Sequence, residues 1–240
     1  MKEMQRGTRF VVIDDFLSGR DFSAARDLME RATLTKVDSV ISPSEDGPAF
    51  RSKGVRFGEE LGSTEVVGRP RVYEQVARTV HRERDFYGEA GPDWDRIAFA
   101  FWKYPAGSRL GWHNDGGRGR RGEFILFLHD MWKPSWGGEL MLVDENPEGL
   151  DEGDTRRDDP VEWMETLLGR CARSPVAILP KRNRLVLVKT ETIHTIRRVD
   201  PTAGAFLRCT LTGFIWRDLE RAADRQSARE KFEAVLGGRL

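Results

Sequence analysis

FAFWKYPAGSRLGWHND, residues 99–115, joins an aromatic run to the pair His113 and Asp115. In a β-strand, residues two apart point to the same face, so these two side chains can reach one metal ion. His194 lies far downstream, and it supplies a third ligand if distant strands pair across a barrel. Two histidines and one carboxylate on one face of an octahedral metal form a site for a single iron, with three positions left open for chemistry.

Length and composition favour one soluble domain over residues 1–240. Lys plus Arg and Asp plus Glu both number 39, so no net field favours nucleic acid or an anionic membrane. No stretch approaches the roughly 20 apolar residues of a membrane span, and the first residues lack the apolar core of a signal peptide. We therefore expect a cytoplasmic protein without nucleic-acid or membrane partners. The sequence leaves its oligomeric state open.

Local patterns predict helices in the N-terminal part and strands in the remainder. A β-rich run at 10–17 precedes a helix that begins near Ser18 and extends to about Arg31, and a second helix follows Pro70. From Ile97 onward, short apolar runs predict strands at 97–102, 124–128, 140–143, 176–179, 185–188 and 206–216. This order predicts a mostly β fold, a double-sheet barrel with flanking helices at 10–90 and a core at 97–216.

Two segments depart from the strand pattern. Residues 144–160 are rich in Asp, Glu, Gly and Arg, and a short helix is predicted at 161–171. We expect this insertion to be either disordered or a lid. Residues 217–236 predict an amphipathic C-terminal helix that ends at two glycines.

The strand at 206–212 carries Arg208 and Thr210, which alternation places on one face. An arginine inside a barrel is costly unless it meets a carboxylate. A bound carboxylic acid satisfies it, because the guanidinium grips such a group with two hydrogen bonds and the Thr210 hydroxyl adds another. The alternative is an outward Arg208 paired with an acid of the protein.

The remaining histidines and the glycine-rich segments are assigned structural roles. We expect His81 on a solvated surface, and His129 as a strand-end residue because it and Asp130 point to opposite faces. Gly137 and Gly138 predict a tight turn into a strand. Residues 116–122 predict a mobile loop at the mouth of the metal site, whose three arginines either attract an anionic substrate or are simply solvated.

Five segments resemble, in order, those of the prolyl-4-hydroxylase-like 2-oxoglutarate and Fe(II)-dependent oxygenases. They are Tyr104 to Asp115, Trp136 to Leu140, Arg184 to Leu187, Glu191 to His194 and Arg208 to Phe214. The run Val11 to Ser18 also looks like the N-terminal strand of that family. The resemblance covers roughly residues 97–216 and implies a double-stranded β-helix, or jelly-roll, core.

The resemblance also implies a division of roles among the site residues. His113, Asp115 and His194 would bind Fe(II), and Arg208 would hold the distal carboxylate of 2-oxoglutarate with the help of Thr210. Tyr104, nine positions before His113, would border the co-substrate pocket, although a structural aromatic residue is the alternative. With O2, such a site hydroxylates a C–H bond and releases succinate and CO2. The retained carboxylate of Asp115 favours hydroxylation over halogenation.

The sequence says less about the substrate than about the reaction, because proteins of one fold act on many different substrates. We expect a small polar molecule, such as an amino acid or a natural-product intermediate, because the 144–170 insertion can cover a compact ligand. The alternatives are a peptidyl (prolyl-type) hydroxylase and a non-catalytic jelly-roll protein that binds a metal or ligand.

Overall fold

Two antiparallel sheets enclose the interior of this protein. The computed structural model describes residues 1–62, 68–117, 119–146 and 160–220. The strands are β1 Lys2–Arg6, β2 Phe10–Asp14, β3 Leu34–Val37, β4 Ala49–Ser52, β5 Val55–Gly58, β6 Arg96–Tyr104, β7 Leu110–His113, β8 Arg120–Phe127, β9 Leu140–Leu142, β10 Val176–Ile178, β11 Leu185–Lys189, β12 His194–Ile196 and β13 Arg208–Trp216. The larger sheet has the order β1-β2-β11-β8-β13-β6-β4-β3, with β5 also paired to β6, and the smaller has the order β10-β9-β12-β7.

The central strands of the larger sheet are apolar on both faces because both faces are covered. In β8, Phe124 and Leu126 pack in one apolar cluster with residues of the helices. Ile125 and Phe127 point the other way and pack against Leu140 and Leu142 of the smaller sheet. The second cluster lies between the two sheets, and it confirms the predicted double-sheet architecture.

Helices cover the outer face of the larger sheet. They are α1 Gly19–Arg31, α2 Arg71–Arg82 and α3 Arg84–Tyr87, and a fourth helix, α4, spans Pro160–Arg170. The Ser18 side chain caps α1 by accepting from the Asp21 backbone N–H, as the sequence predicted. Among the described helices, none is long and apolar enough to cross a membrane.

The helix predicted at 161–171 is confirmed as α4, but it does not lie over the barrel interior. Its Trp163 and Leu167 are buried with Ile193, and Trp112 packs against the same cluster. Trp112 precedes the inward-facing His113 on β7 and therefore points to the outer face of the smaller sheet. Residues 147–159 of the proposed lid, and 221–236 of the predicted C-terminal helix, lie outside the described part of the chain.

Other parts of the structure differ from the sequence-based description. Strands β1, β3, β4 and β5 were not predicted. Strand β7 ends at His113, so Asp115 lies beyond the strand and the alternation that was used to place it does not apply. The predicted loop at 116–122 is also shorter, because β8 begins at Arg120.

A buried ion-pair cluster fixes β2 against the start of β11. Asp14 is 2% exposed, and its carboxylate lies 2.6 Å from Lys181 Nζ and 2.6 Å from Arg184 Nε. Burial acts to raise the pKa of Asp14, but the hydrogen bonds from Arg184 and Lys181 outweigh it and hold the pKa below 3.8. The ion pairs of Asp14 therefore stabilise the fold fully above the pKa that Asp14 has in the unfolded chain. This stabilisation is lost as the pH falls through the lower pKa that Asp14 has in the folded protein.

We expect Asp14→Asn to destabilise the protein, because it leaves two cations without their carboxylate. Breaking a buried ion pair lowers the free energy of unfolding by about 3–5 kcal/mol. We expect a decrease near the lower end of this range at pH 7, because Lys181 is half exposed. Urea unfolding at pH 7 and at about pH 3.5 tests this. The gap between wild type and variant should shrink at the lower pH, and a gap that does not depend on pH would contradict the ion-pair explanation.

Candidate metal centre

Three predicted ligands meet in the barrel interior. His113 and His194 sit opposite each other on β7 and β12, with ring centroids 4.2 Å apart. Asp115 Oδ2 lies 3.7 Å from His113 Nε2 and 3.6 Å from His194 Nε2. Two atoms that each bind one metal at about 2.1 Å can be up to about 4.2 Å apart, so both carboxylate–imidazole distances suit a shared ion.

Backbone carbonyls fix the orientation of both imidazoles. His113 Nδ1 lies 2.8 Å from Gly111 O, and His194 Nδ1 lies 2.8 Å from Thr192 O. A carbonyl oxygen only accepts, so each Nδ1 carries the hydrogen and each Nε2 keeps its lone pair for a metal. Two imidazole nitrogens and one carboxylate are the donor set of non-haem Fe(II) sites with open positions, so the residues fit the metal that the resemblance implies.

Asp115 is held in its charged form. Burial acts to raise the pKa of this carboxyl, but the neighbouring His113, His194 and Arg120 side chains outweigh it and hold the pKa well below its usual range. Arg120 Nη1 lies 3.5 Å from Asp115 Oδ1, and the guanidinium stacks on Phe214 at 3.7 Å from its ring centroid. The ligand is therefore ionised and ready to bind a cation.

A second carboxyl group faces the same centre, and the sequence analysis missed it. Glu123 on β8 is 4% exposed, and its Oε1 lies 3.1 Å from His194 Nε2. Burial, followed by the charge on Asp115, raises the pKa of Glu123 well above its usual range. Side chains alternate along β8, so Glu123 lies on the same face as Ile125 and Phe127. This alternation could have identified Glu123 as an inward-facing residue from the sequence.

Arg208 lies inside the barrel, which settles the choice left open by the sequence. Its side chain is 1% exposed, and no carboxylate among the described residues forms an ion pair with it. Arg208 Nε donates to Gly138 O at 2.7 Å, whereas Nη2 is buried without a partner in that part of the chain. Burial lowers the pKa of Arg208 to about 10, so the group stays cationic at neutral pH.

The turn at Gly137 and Gly138 is confirmed, and it has a second role. Both residues have positive φ, 66° and 71°. A Cβ at Gly138 would lie 3.0 Å from Arg208 Cδ. The glycine therefore leaves room for the arginine side chain while its carbonyl orients the guanidinium.

Thr210 and Tyr104 both lie beside Arg208. Thr210 is on the same face of β13 and accepts from the Thr212 hydroxyl at 3.2 Å, which leaves its own hydrogen free to donate. Tyr104 is the cross-strand neighbour of Arg208, and the Arg208 Cζ atom lies 5.8 Å from its ring centroid. Burial raises the pKa of Tyr104 to about 12, so its hydroxyl remains a donor.

The setting of His81 differs from the prediction, whereas His129 does lie at a strand end. His81 is half-buried rather than solvated, with Nε2 3.0 Å from Leu61 O and its ring against Trp94. His129 does follow the end of β8, but it is 4% exposed and in ring contact with Phe127 and Trp132. Neither residue belongs to the cluster of potential metal ligands.

Comparison with protein families agrees with this geometry. The family model of the 2OG-Fe(II) oxygenase superfamily matches residues 99–216, which contain all three potential metal ligands and Arg208. No curated protein matches the sequence.

Solved structures share the fold at low sequence identity. A prolyl-4-hydroxylase from Pseudomonas putida is 15% identical, with a TM-score of 0.56, over 87% of this chain and 92% of that chain. A prolyl hydroxylase from Trichoplax adhaerens, in complex with a peptide fragment of hypoxia inducible factor, is 16% identical with a TM-score of 0.51, over 90% and 87%. HygX from Streptomyces hygroscopicus, with nickel, 2-oxoglutarate and hygromycin B bound, is 15% identical with a TM-score of 0.50, over 88% and 84%. These similarities confirm the jelly-roll fold.

Proposed function

Residues 99–216 belong to the 2OG-Fe(II) oxygenase superfamily, and on that premise we propose that this dioxygenase hydroxylates a C–H bond of a small polar substrate. In this proposal His113, Asp115 and His194 hold Fe(II). The observation that carries it is the occurrence, within one barrel, of a cluster of potential metal ligands and a buried arginine, Arg208, without an acidic partner among the described residues. A metal and a dicarboxylate satisfy both features together.

Bound Fe(II), with 2-oxoglutarate and O2, supplies the oxidant that inserts one oxygen atom into a C–H bond as 2-oxoglutarate is converted to succinate and CO2. His113, Asp115 and His194 would hold the metal through three protein donors and would leave its other positions for 2-oxoglutarate and O2. Arg208 and Thr210 bind the distal carboxylate of 2-oxoglutarate, and Tyr104 borders that pocket. Ile125, Phe127 and other apolar side chains between the sheets exclude water from the reaction.

Arg120 supports a small substrate that carries a negative charge. Its guanidinium lies next to the Asp115 carboxylate, its side chain is 31% exposed, and stacking on Phe214 restricts its position. A cation fixed at the edge of the centre can bind a substrate carboxylate with two hydrogen bonds. An amino acid or a similar small acid meets this requirement.

A screen of amino acids and related metabolites tests the proposed substrate class. We expect substrate-dependent release of succinate, and a mass increase of one oxygen atom in the small molecule. Turnover of peptides together with no turnover of small acids would contradict the small-molecule proposal and favour a peptidyl hydroxylase.

The role of Arg120 is tested by Arg120→Gln, with Arg121→Gln as the matched control. Arg121 is the next residue on β8, but its Nε donates to Asp93 O, away from Asp115. Loss of a charged hydrogen bond should raise the KM for the acidic substrate about 10- to 100-fold in Arg120→Gln. The control should behave like the wild type. An unchanged KM for the substrate in Arg120→Gln would show that Arg120 does not bind the substrate and only neutralises the charge of Asp115.

A further inference from the structure

Two buried polar side chains, His129 and Arg208, lie opposite each other beyond the end of β8. Thr210 on β13 is paired with Phe127, and the Leu128 backbone N–H donates to Cys209 O at 2.9 Å. Continuing this antiparallel register by one more residue places His129 opposite Arg208. Residues directly opposite each other have Cβ atoms about 4.5–5.5 Å apart, so the two side chains share one end of the interior.

Both side chains have buried nitrogens without a hydrogen-bond partner in the part of the chain that the structure describes. Neither ring nitrogen of His129 has a partner, and neither does Nη2 of Arg208. His129 is 4% exposed and Arg208 is 1% exposed, so surrounding solvent does not compensate. Buried polar groups are nearly always paired, because an unpaired one costs about 1–3 kcal/mol. Two such groups at one place indicate that they bind a common ligand.

The chemistry of the two groups defines that ligand. The Arg208 guanidinium and the His129 ring lie against the same Phe127 ring, with its centroid 4.9 Å from Arg208 Cζ and 5.6 Å from the His129 centroid. Burial, and then the charge on Arg208, lowers the pKa of His129 to about 3. The imidazole is therefore neutral at pH 7 and offers one N–H beside a cation. A carboxylate has two oxygens and one negative charge, which match these donors.

We propose that His129 binds the distal carboxylate of 2-oxoglutarate together with Arg208, one oxygen accepting from each side chain. This inference rests on the proposed function, because it assigns a further residue to the same co-substrate site. His129 makes the site specific for a dicarboxylic 2-oxo acid. It contributes nothing to a 2-oxo acid of equal length that ends in a methyl group, such as 2-oxopentanoate.

The test uses the full chain loaded with Mn(II) and measures binding of 2-oxoglutarate and of 2-oxopentanoate by calorimetry. Loss of a hydrogen bond to a charged group should weaken 2-oxoglutarate binding about 10- to 100-fold in His129→Leu, and leave 2-oxopentanoate binding unchanged. His129→Gln keeps an N–H donor and should recover most of the affinity. Equal weakening of both acids in His129→Leu would show a packing defect and overturn the inference.

A second test uses the wild-type protein, so that it does not require the His129 variants to fold. The chain has four histidines, so their ring nitrogens can be assigned by NMR in the Zn(II)-loaded protein. Addition of 2-oxoglutarate should shift a His129 ring nitrogen and leave those of His81 unchanged. An unshifted His129 ring would overturn the inference.

The variants also separate this inference from the proposed function. If Arg208→Met loses 2-oxoglutarate binding but His129→Leu keeps it, the His129 assignment fails and the proposed function stands. If neither variant changes 2-oxoglutarate affinity, the carboxylate site is not at this end of the barrel and both proposals fail.

Discussion

Replacement of His194 by alanine is expected to abolish metal binding and, with it, all succinate release. His194 and His113 present their Nε2 atoms to the same Asp115 oxygen, so loss of either ring removes one of three protein donors. Loss of a group that merely orients a ligand costs roughly 10- to 100-fold in metal affinity, and loss of the ligand itself should cost more. Calorimetric titration with Mn(II), without co-substrate, measures this directly.

His81→Gln is the matched control for this prediction. His81 lies on α2, outside the cluster, and contacts Leu61 O and Trp94. Metal affinity in that variant should equal the wild-type value, even if its stability falls. Retention of wild-type metal affinity in His194→Ala would show that the cluster is not the metal site.

Replacement of Arg208 by methionine is expected to weaken 2-oxoglutarate binding about 10²- to 10³-fold, because removal of one partner from a buried charge pair costs about 2–5 kcal/mol. Metal affinity should not change, since Arg208 contacts no ligand of the metal in the described structure. The readouts are the KM for 2-oxoglutarate and the Mn(II) affinity of the same preparation.

Stability distinguishes this role of Arg208 from a structural one. Methionine removes a buried cation and its hydrogen bond to Gly138 O, while its thioether can keep contact with the Tyr104 and Phe127 rings. The free energy of unfolding should therefore fall by no more than about 1 kcal/mol. Arg184→Met is the contrasting variant, because Arg184 is paired with Asp14. It should lower stability and leave the KM for 2-oxoglutarate unchanged. A large loss of stability in Arg208→Met with an unchanged KM for 2-oxoglutarate would show that Arg208 has a structural role.

Much of the architecture was predictable because its signals are local. The Ser18 cap, the proline before α2 and the alternating or apolar runs after Ile97 each report on neighbouring residues. Strands β3 to β5 gave no such signal. Their burial patterns are irregular, and they are held by pairing with each other and with β6, which is distant in sequence.

The candidate site was predictable where residue type restricts chemistry. His113, Asp115, His194 and Arg208 were identified from spacing, strand alternation and family resemblance, and the structure places the first three together. Their environment could not be read from the sequence. Whether Arg208 faces inward, and whether Gly138 O meets it, depends on how two sheets pack. Asp115 reaches the centre from a loop, which strand alternation does not describe.

Two buried polar residues whose setting was not predicted lie on one face, in β8 and just after its end. Glu123 and His129 lie at either end of the series Glu123, Ile125, Phe127, His129, in which every second residue points inward. His129 was predicted as a strand-end residue, and no role was predicted for Glu123. Glu123 lies beside the His194 ring, and His129 lies with Arg208 against the Phe127 ring, so this face carries two polar side chains inside the protein.

The central claim, that this barrel binds Fe(II) and 2-oxoglutarate at one centre, is tested most directly by anaerobic absorption spectroscopy. The wild-type protein with Fe(II) and 2-oxoglutarate should develop a weak visible metal-to-ligand charge-transfer band, because the 2-oxo acid end would bind the metal directly. The band should be absent in His194→Ala, and it should require far more 2-oxoglutarate in Arg208→Met. A wild-type protein that binds Fe(II) but shows no band at any 2-oxoglutarate concentration would contradict the oxygenase assignment and favour a non-catalytic metal-binding barrel.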